Sequence, residues 1–344
     1  MIIDLRSDVL TRPTEEMWAA MQRAEIGWSL YQQDRAVNEL EDRVATLLGK
    51  QAGLFLPTCS AANMVALLTL GKRGSQIVCE TNSHIGTSEA AGISRFAELR
   101  LHLVAGHRGI MRSKDVVEAI RGSRRAVERS APVSVVCMEN SHNNAGGIAV
   151  SAAQTKRIAA VAQEHTVAVY LDGARLFNSA AALSVSPKAL VQMVDAVSVS
   201  LNKGLGAIMG AVLCADSPTI HYARLNARLL GIASLHKAGY FAAGALVALN
   251  NMADTFVRDN RLTQRLARKL SNWITVDLTT VQTNMVYADV SRLNLSAIQF
   301  ALALETHGVR VNARTGATVR FVINRSISEA DVDHTVQIIS NIAS

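Results

Sequence analysis

The chain has 344 residues, 49% of them hydrophobic and 18% charged, which excludes a disordered or fibrous protein and supplies enough apolar surface for a large packed core. Its formal net charge of +7 comes from basic residues scattered through stretches such as 122–129 and 261–269, without interleaved aromatics, so no nucleic-acid partner is expected. Four distant cysteines, Cys59, Cys79, Cys137 and Cys214, form no CxxC pair, which argues against a metal knuckle or disulfide framework and for reduced thiols in the cytoplasm.

The opening MIIDLRSDVLTRPT lacks the apolar segment of a signal peptide, so export is not expected. In VNELEDRVATLLGK, Val37, Leu40, Val44 and Leu47 recur at helical spacing, and Gly49 is placed to end that helix. Strands and helices then alternate. GLFLP (53–57) runs into TCSAANMVALLTL, QIVCE (76–80) into a histidine-bearing loop, and VSVVCMEN (133–140) into SHNNAGG. TVAVYLDGAR (166–175) leads to a helical stretch and then to AVSVSLNKG. This rhythm predicts an α/β fold whose large domain has a mostly parallel sheet flanked by helices. The longest apolar run, AGYFAAGALVAL at 238–249, is shorter than the roughly 20 residues that cross a bilayer, and predicts a buried helix and no membrane partner.

Beyond residue 250 the texture changes to a basic amphipathic helix, short strands in TNMVYADV, VRVN and TVRFVIN, and a last helix opening at Ser328 with Asp331 in a capping-box position. The expected partition is an N-terminal arm (1–30), a large domain (31–250) and a small C-terminal α+β domain (251–344), packed together around a cleft.

Ligands of open α/β sheets bind beyond the carboxyl ends of the strands. Asp172 follows the apolar VAVYL, where a partly desolvated carboxylate needs a cationic partner. That partner is either the nearby Arg175 or the protonated ring nitrogen of a heterocyclic cofactor such as pyridoxal phosphate. Lys203, at the end of the next strand, suits the second reading because its amine can bond to the cofactor's aldehyde. His84 and His142 also follow strands; each is either a structural hydrogen-bonder or an imidazole able to stack on a ring and take up a proton near neutral pH. In PTCSAANM, backbone amides and the Ser60 hydroxyl could hold a phosphate at a helix N-terminus, and the same residues equally suit an ordinary helix cap.

Together DLRSDVLTRPT, VNELEDRVATLLGK, ENSHNNAGG, LDGARLFN, NKGLGAIMG and VRFV resemble, in order and spacing over nearly the whole chain, the L-threonine aldolases. That family has the aspartate aminotransferase fold, fold type I of the pyridoxal-phosphate enzymes. The resemblance implies pyridoxal 5'-phosphate as cofactor and retro-aldol cleavage of an L-β-hydroxy-α-amino acid to glycine and an aldehyde, with no metal. It makes Lys203 the covalent anchor, Asp172 the partner of the ring nitrogen and His84 the imidazole on the ring, with Cys59 and Ser60 in the phosphate turn. Ser7, Arg175 and Arg320 become holders of the substrate carboxylate, His142 a contact to the β-hydroxyl, and Tyr31 a neighbour of the site; Arg175 also borders the cofactor. A homodimer or homotetramer with sites at the dimer interface is implied as well.

The sequence departs from the family in four places. An acidic, glycine-containing loop reads GWSLYQQDRA, bringing in Trp28 and Arg35; a Ser-Gly-Thr turn is Thr58-Cys59-Ser60; a Met-Arg-Gln segment reads GIASLHKAG; and a Thr-His pair is Asn324-Arg325. Trp28 motivates a bulkier, aromatic substrate beside threonine or allo-threonine. The alternatives kept open are another pyridoxal-phosphate lyase or transaminase, and a degenerate relative that binds the cofactor without catalysis.

Overall fold

A computed structural model describes residues 2–125, 131–233, 235–250 and 252–343; residues 126–129 of the basic run 122–129 lie outside them. In chain order the strands are β1 (Ile3–Asp4), β2 (Ala52–Leu56), β3 (Gln76–Glu80), β4 (Arg100–Val104), β5 (Val133–Glu139), β6 (Ala168–Gly173), β7 (Ala196–Ser200), β8 (Ala211–Ala215), β9 (Thr275–Val276), β10 (Met285–Asp289), β11 (Val309–Arg310), β12 (Asn312–Ala313) and β13 (Thr318–Val322).

A seven-stranded sheet runs in the order β2-β8-β7-β6-β5-β3-β4. Its β7, β6, β5, β3 and β4 are parallel, and β8 and β2 join antiparallel at one edge. The two-residue period of a strand sends alternate side chains to opposite faces. Val136, Val169, Leu171, Val197 and Val199 therefore enter one core with Val37, Leu40 and Val44 of the helix Arg35–Leu48 and Ile158 and Ala159 of the helix Ala152–Glu164. Val135, Cys137, Tyr170 and Ala196 enter the other, under the helices Cys59–Leu70 and Ser217–Leu229. Each buried valine or leucine stabilises the fold by roughly 1.5–3 kcal/mol, and burial on both faces is what makes β7 and β8 solidly apolar or small.

Helix ends fall where the sequence puts them. Asp34 caps the first long helix through Val37 N, and Gly49 closes it at φ 63°. Ser328 and Asp331 make the reciprocal bonds of a capping box before Glu329–Ala343. The run at 238–249 is a helix, Ala238–Asn250, whose glycines and most of whose alanines are buried. Among the described residues no helix is long and apolar enough to cross a membrane.

A four-stranded antiparallel sheet, β12-β13-β10-β9, carries the C-terminal core with the helices Met252–Leu270, Ala297–Glu305 and Glu329–Ala343. Ile3 and Leu5 from the N-terminal arm are buried in that same core, and β1 pairs in parallel with β11. The arm thus crosses from the chain's start to its end, passing the carboxyl ends of the central parallel strands.

Candidate active site

Neighbouring parallel strands carry the site's polar groups at their ends. Glu139 closes β5, Asp172 sits one residue before the end of β6, in register with Glu139 and Ser198, and Lys203 follows β7. A cavity of about 300 Å³ opens there, at the small end of the range for small-molecule sites. Lys203, Asp172, Arg175 and Arg320 line it, together with Ser7, His84, Cys59 and Ser60.

Asp172 is buried. Its Oδ1 accepts from Ala174 N at 3.0 Å and its Oδ2 from Asn63 Nδ2 at 2.9 Å, with Cys59 Sγ 3.8 Å from Oδ1. Burial, then the Glu139 and Glu89 carboxylates, push its pKa up, only partly opposed by Lys203 and Asn63. Cys59 stays a thiol, its pKa pushed up to about 12 by burial and by Asp172. Of the two partners the sequence offers Asp172, Arg175 is not engaged with it. Its Nε and Nη2 both reach Asp8, each at 2.7 Å, and Asp8 is held down to about pKa 2 because Arg175 outweighs its burial. Among the described residues Asp172, with Glu139 and Glu89 close by, therefore faces the cavity with no direct cationic partner, and the Lys203 amine forms no hydrogen bond or ion pair. An uncompensated buried carboxylate and an uncommitted amine side by side fit a protonated pyridine that carries an aldehyde.

His84 lies over the same cavity with its side chain 40% exposed. Its Nδ1 is 3.0 Å from Glu89 Oε1, and that bond, against burial, raises its pKa. Glu89 in turn accepts from Asn63 Nδ2 at 2.9 Å, so one buried amide joins the imidazole's partner to Asp172. Asn63 Oδ1 lies 2.6 Å from the Tyr170 hydroxyl, which fixes the amide's orientation. Thr58 uses its hydroxyl to cap the helix Cys59–Leu70 through Ala61 N, leaving the first-turn amides and Ser60 at the cavity wall, where a helix N-terminus favours an anion.

Two sequence expectations need correction within a single chain. His142 does not line the cavity. It is fully buried, with Nε2 2.9 Å from Glu80 Oε2, and that bond, with Glu139 nearby, raises its pKa against its burial. Glu80, at the end of β3, captures the ring behind the wall, and Gly109 leaves room for it, since a Cβ there would lie 2.4 Å from the imidazole. Tyr31 is 59% exposed and stacks edge-on against Trp28 at 4.7 Å, away from the cavity. Asp34 pins this loop outward by accepting from Gly27 N and Gly239 N. Trp28 does not line the cavity either.

Residues not anticipated from the sequence complete the wall: Asn63, Glu89, Glu139 and Asn143. Glu139 obeys the strand-end criterion that singled out Asp172, and Asn63 is the one amide on a mainly apolar helix; both signals were present. Asp8, 167 residues from Arg175, had none. Among the described residues no group of histidine, cysteine and carboxylates could hold a metal, and all four cysteines are free.

Residues 4–292 match the beta-eliminating lyase family. The chain is 32% identical to low-specificity L-threonine aldolase 1 of Arabidopsis thaliana, over 97% of this chain and 94% of the relative. It is 30% identical to the low specificity L-threonine aldolase of Escherichia coli K12, over 95% of each. The threonine aldolase of Leishmania major has the same fold, with a TM-score of 0.84 over 99% of this chain and 100% of that one, at 15% identity.

Proposed function

The chain belongs to the beta-eliminating lyase family, and from that premise we propose that it is a pyridoxal-phosphate aldolase that cleaves an L-β-hydroxy-α-amino acid such as threonine to glycine and an aldehyde. The observation that carries this reading is the pairing of an uncommitted Lys203 with a buried, cation-seeking Asp172 on adjacent strand ends.

Lys203 and Asp172 would hold the cofactor with the Thr58–Ser60 turn and His84. When bound, the cofactor supplies an aldehyde that captures amines and a ring that withdraws electrons from the carbon next to the nitrogen. Asp172 keeps a proton on the ring nitrogen, because a low-dielectric carboxylate flanked by Glu139 and Glu89 gains most from a positive neighbour. Arg320 and Arg175 would hold the substrate carboxylate and so fix the substrate's orientation, which selects the bond that breaks. Lys203 Nζ, at the cavity wall, would be placed to deliver a proton to Cα of the substrate. His84 takes the β-hydroxyl proton: it is the imidazole lining the cavity, and Glu89 supports its protonated form. His142 supports the wall from behind through Glu80.

Threonine and allo-threonine are favoured over a bulkier substrate, because Trp28 stands outside the cavity. A homodimer or homotetramer, with Tyr31 meeting the site across the interface, belongs to the same proposal, as does a cytoplasmic setting, which the four free thiols support. Incubation with L-threonine, L-allo-threonine and phenylserine should release glycine in proportion to aldehyde. Release of ammonia and a keto acid instead would replace this reading by elimination or transamination. Lys203→Ala should abolish both turnover and the visible absorbance band that borohydride removes from the wild type; a surviving band would refute the anchor.

A further inference from the structure

The carboxylate-binding end of the cavity holds an acceptor of its own. Asn143 Oδ1 lies 3.3 Å from Arg175 Nη1 and 3.0 Å from Arg320 Nη1. Guanidinium groups only donate, so the amide must present its oxygen to both. The two cations differ in what else they have. Arg175 is neutralised by Asp8. Arg320, only 7% exposed, forms no salt bridge among the described residues; its Nη2 reaches the Arg6 carbonyl at 3.0 Å and its Nε has no partner. One buried positive charge is thus met by neutral oxygens alone, where a carboxylate would make bonds about twice as strong.

Asn143 is held by its main chain. Its backbone N donates to Glu139 Oε1 at 2.8 Å, while Glu139 Oε2 accepts from His84 N at 2.7 Å. The side-chain Nδ2 donates only to Asn144 Oδ1, at 2.9 Å, and that oxygen already accepts from Arg314. The Asn143 side chain can therefore turn about its χ angles without disturbing the strand-end loop that positions it.

We propose that Asn143 is a positioning residue whose side-chain oxygen stands in for the substrate carboxylate between Arg175 and Arg320, keeping both forks aimed at one point until the carboxylate displaces it. The alternative role for this amide, a direct binder of the substrate, makes the opposite prediction when the side chain is removed. The inference rests on the carboxylate-holding role of the two arginines given above and is independent of whether a carbon–carbon bond is cleaved.

The test uses the holoenzyme and two small amines, glycine and methylamine, whose dissociation constants are read from the change in cofactor absorbance. Methylamine lacks the carboxylate, so the ratio of the two isolates the arginine end from the amine end. In N143D a fixed carboxylate occupies both forks, and the preference for glycine should fall about tenfold or more. In N143A the competitor is gone, and glycine should bind as tightly as in the wild type or more tightly. N143D should also melt a few degrees above the wild type, since Arg320 gains a counter-charge. An undiminished glycine preference in N143D, a lower melting temperature for it, or glycine binding weakened tenfold in N143A would each overturn the proposal. Because no cleavage is measured, a chain that passes these tests yet cleaves no β-hydroxy amino acid sinks the aldolase reading alone.

Discussion

The two ends of the cavity are built with opposite charge and by opposite means. At the strand-end side, Asp172, Glu139 and Glu89 crowd together and are linked by neutral groups, the Asn63 amide and backbone N–H groups. At the other side Arg175 and Arg320 converge on an amide oxygen, with Asp8 offsetting only one of them. Each end lacks the counter-charge that a ligand would bring, so the cavity selects for a molecule positive at one end and negative at the other. A protein that merely needed stability would pair these groups with each other, since uncompensated buried charge is costly.

Breaking the acidic end should have the largest effect. Asp172→Ala removes the group that keeps the ring nitrogen protonated, and kcat should fall roughly a thousandfold with weakened cofactor retention, a loss of ~4 kcal/mol in transition-state stabilisation. Loss of less than about tenfold would mean that Glu139 or Glu89 serves instead. At the basic end, Arg320→Gln should raise KM roughly tenfold to a hundredfold while changing kcat less, measured with the same substrates; an equal fall in kcat would place Arg320 in the chemical step.

The charge crowding at the acidic end can be sharpened by pH. The Glu89 bond raises the His84 pKa, so the neutral imidazole that accepts a proton becomes abundant only as pH rises through that raised value. Glu89→Gln removes the support, and the acidic limb of the kcat profile should move to lower pH; an unmoved limb would assign it to another group. The smallest expected effect lies off the cavity wall, on the helix Met252–Leu270. Asp259 is buried, its Oδ1 accepts from Arg258 Nη1 at 2.8 Å while its Oδ2 has no partner, and burial outweighs Arg258 and raises its pKa to about 6. The folded state thus binds a proton that the unfolded chain releases near pH 4, so stability falls as pH rises from 4 through 6. Asp259→Asn should raise the melting temperature above pH 6 by a few degrees and leave it nearly unchanged at pH 4, as followed by thermal unfolding.

How much of this was legible in the sequence depended on range. Strand periodicity, the helix ends at Gly49 and Ser328 and the strand ends bearing Asp172 and Lys203 are local, and local patterning wrote them plainly. The pairing of Arg175 with Asp8, across 167 residues, and of Arg320 with Asn143, across 177, is set by how the N-terminal arm and the C-terminal sheet close over the central one. No local pattern carries that information. His142 shows the other limit: its spacing after β5 marks it as near the site, yet whether its ring faces the cavity or Glu80 is decided by side-chain competition that spacing does not report. The loop at 26–34 is turned outward by Asp34, whose carboxylate could have been read only as a helix cap.

Asp8 receives Arg175 from the central domain and Asn284 Nδ2 from the C-terminal strand region, at 3.0 Å, while its own segment comes from the arm. Three stretches of chain far apart in sequence meet on one carboxyl group. For anyone engineering this protein, the first ten residues are therefore part of the catalytic apparatus: trimming them for expression would loosen a guanidinium on the cavity wall as surely as mutating it.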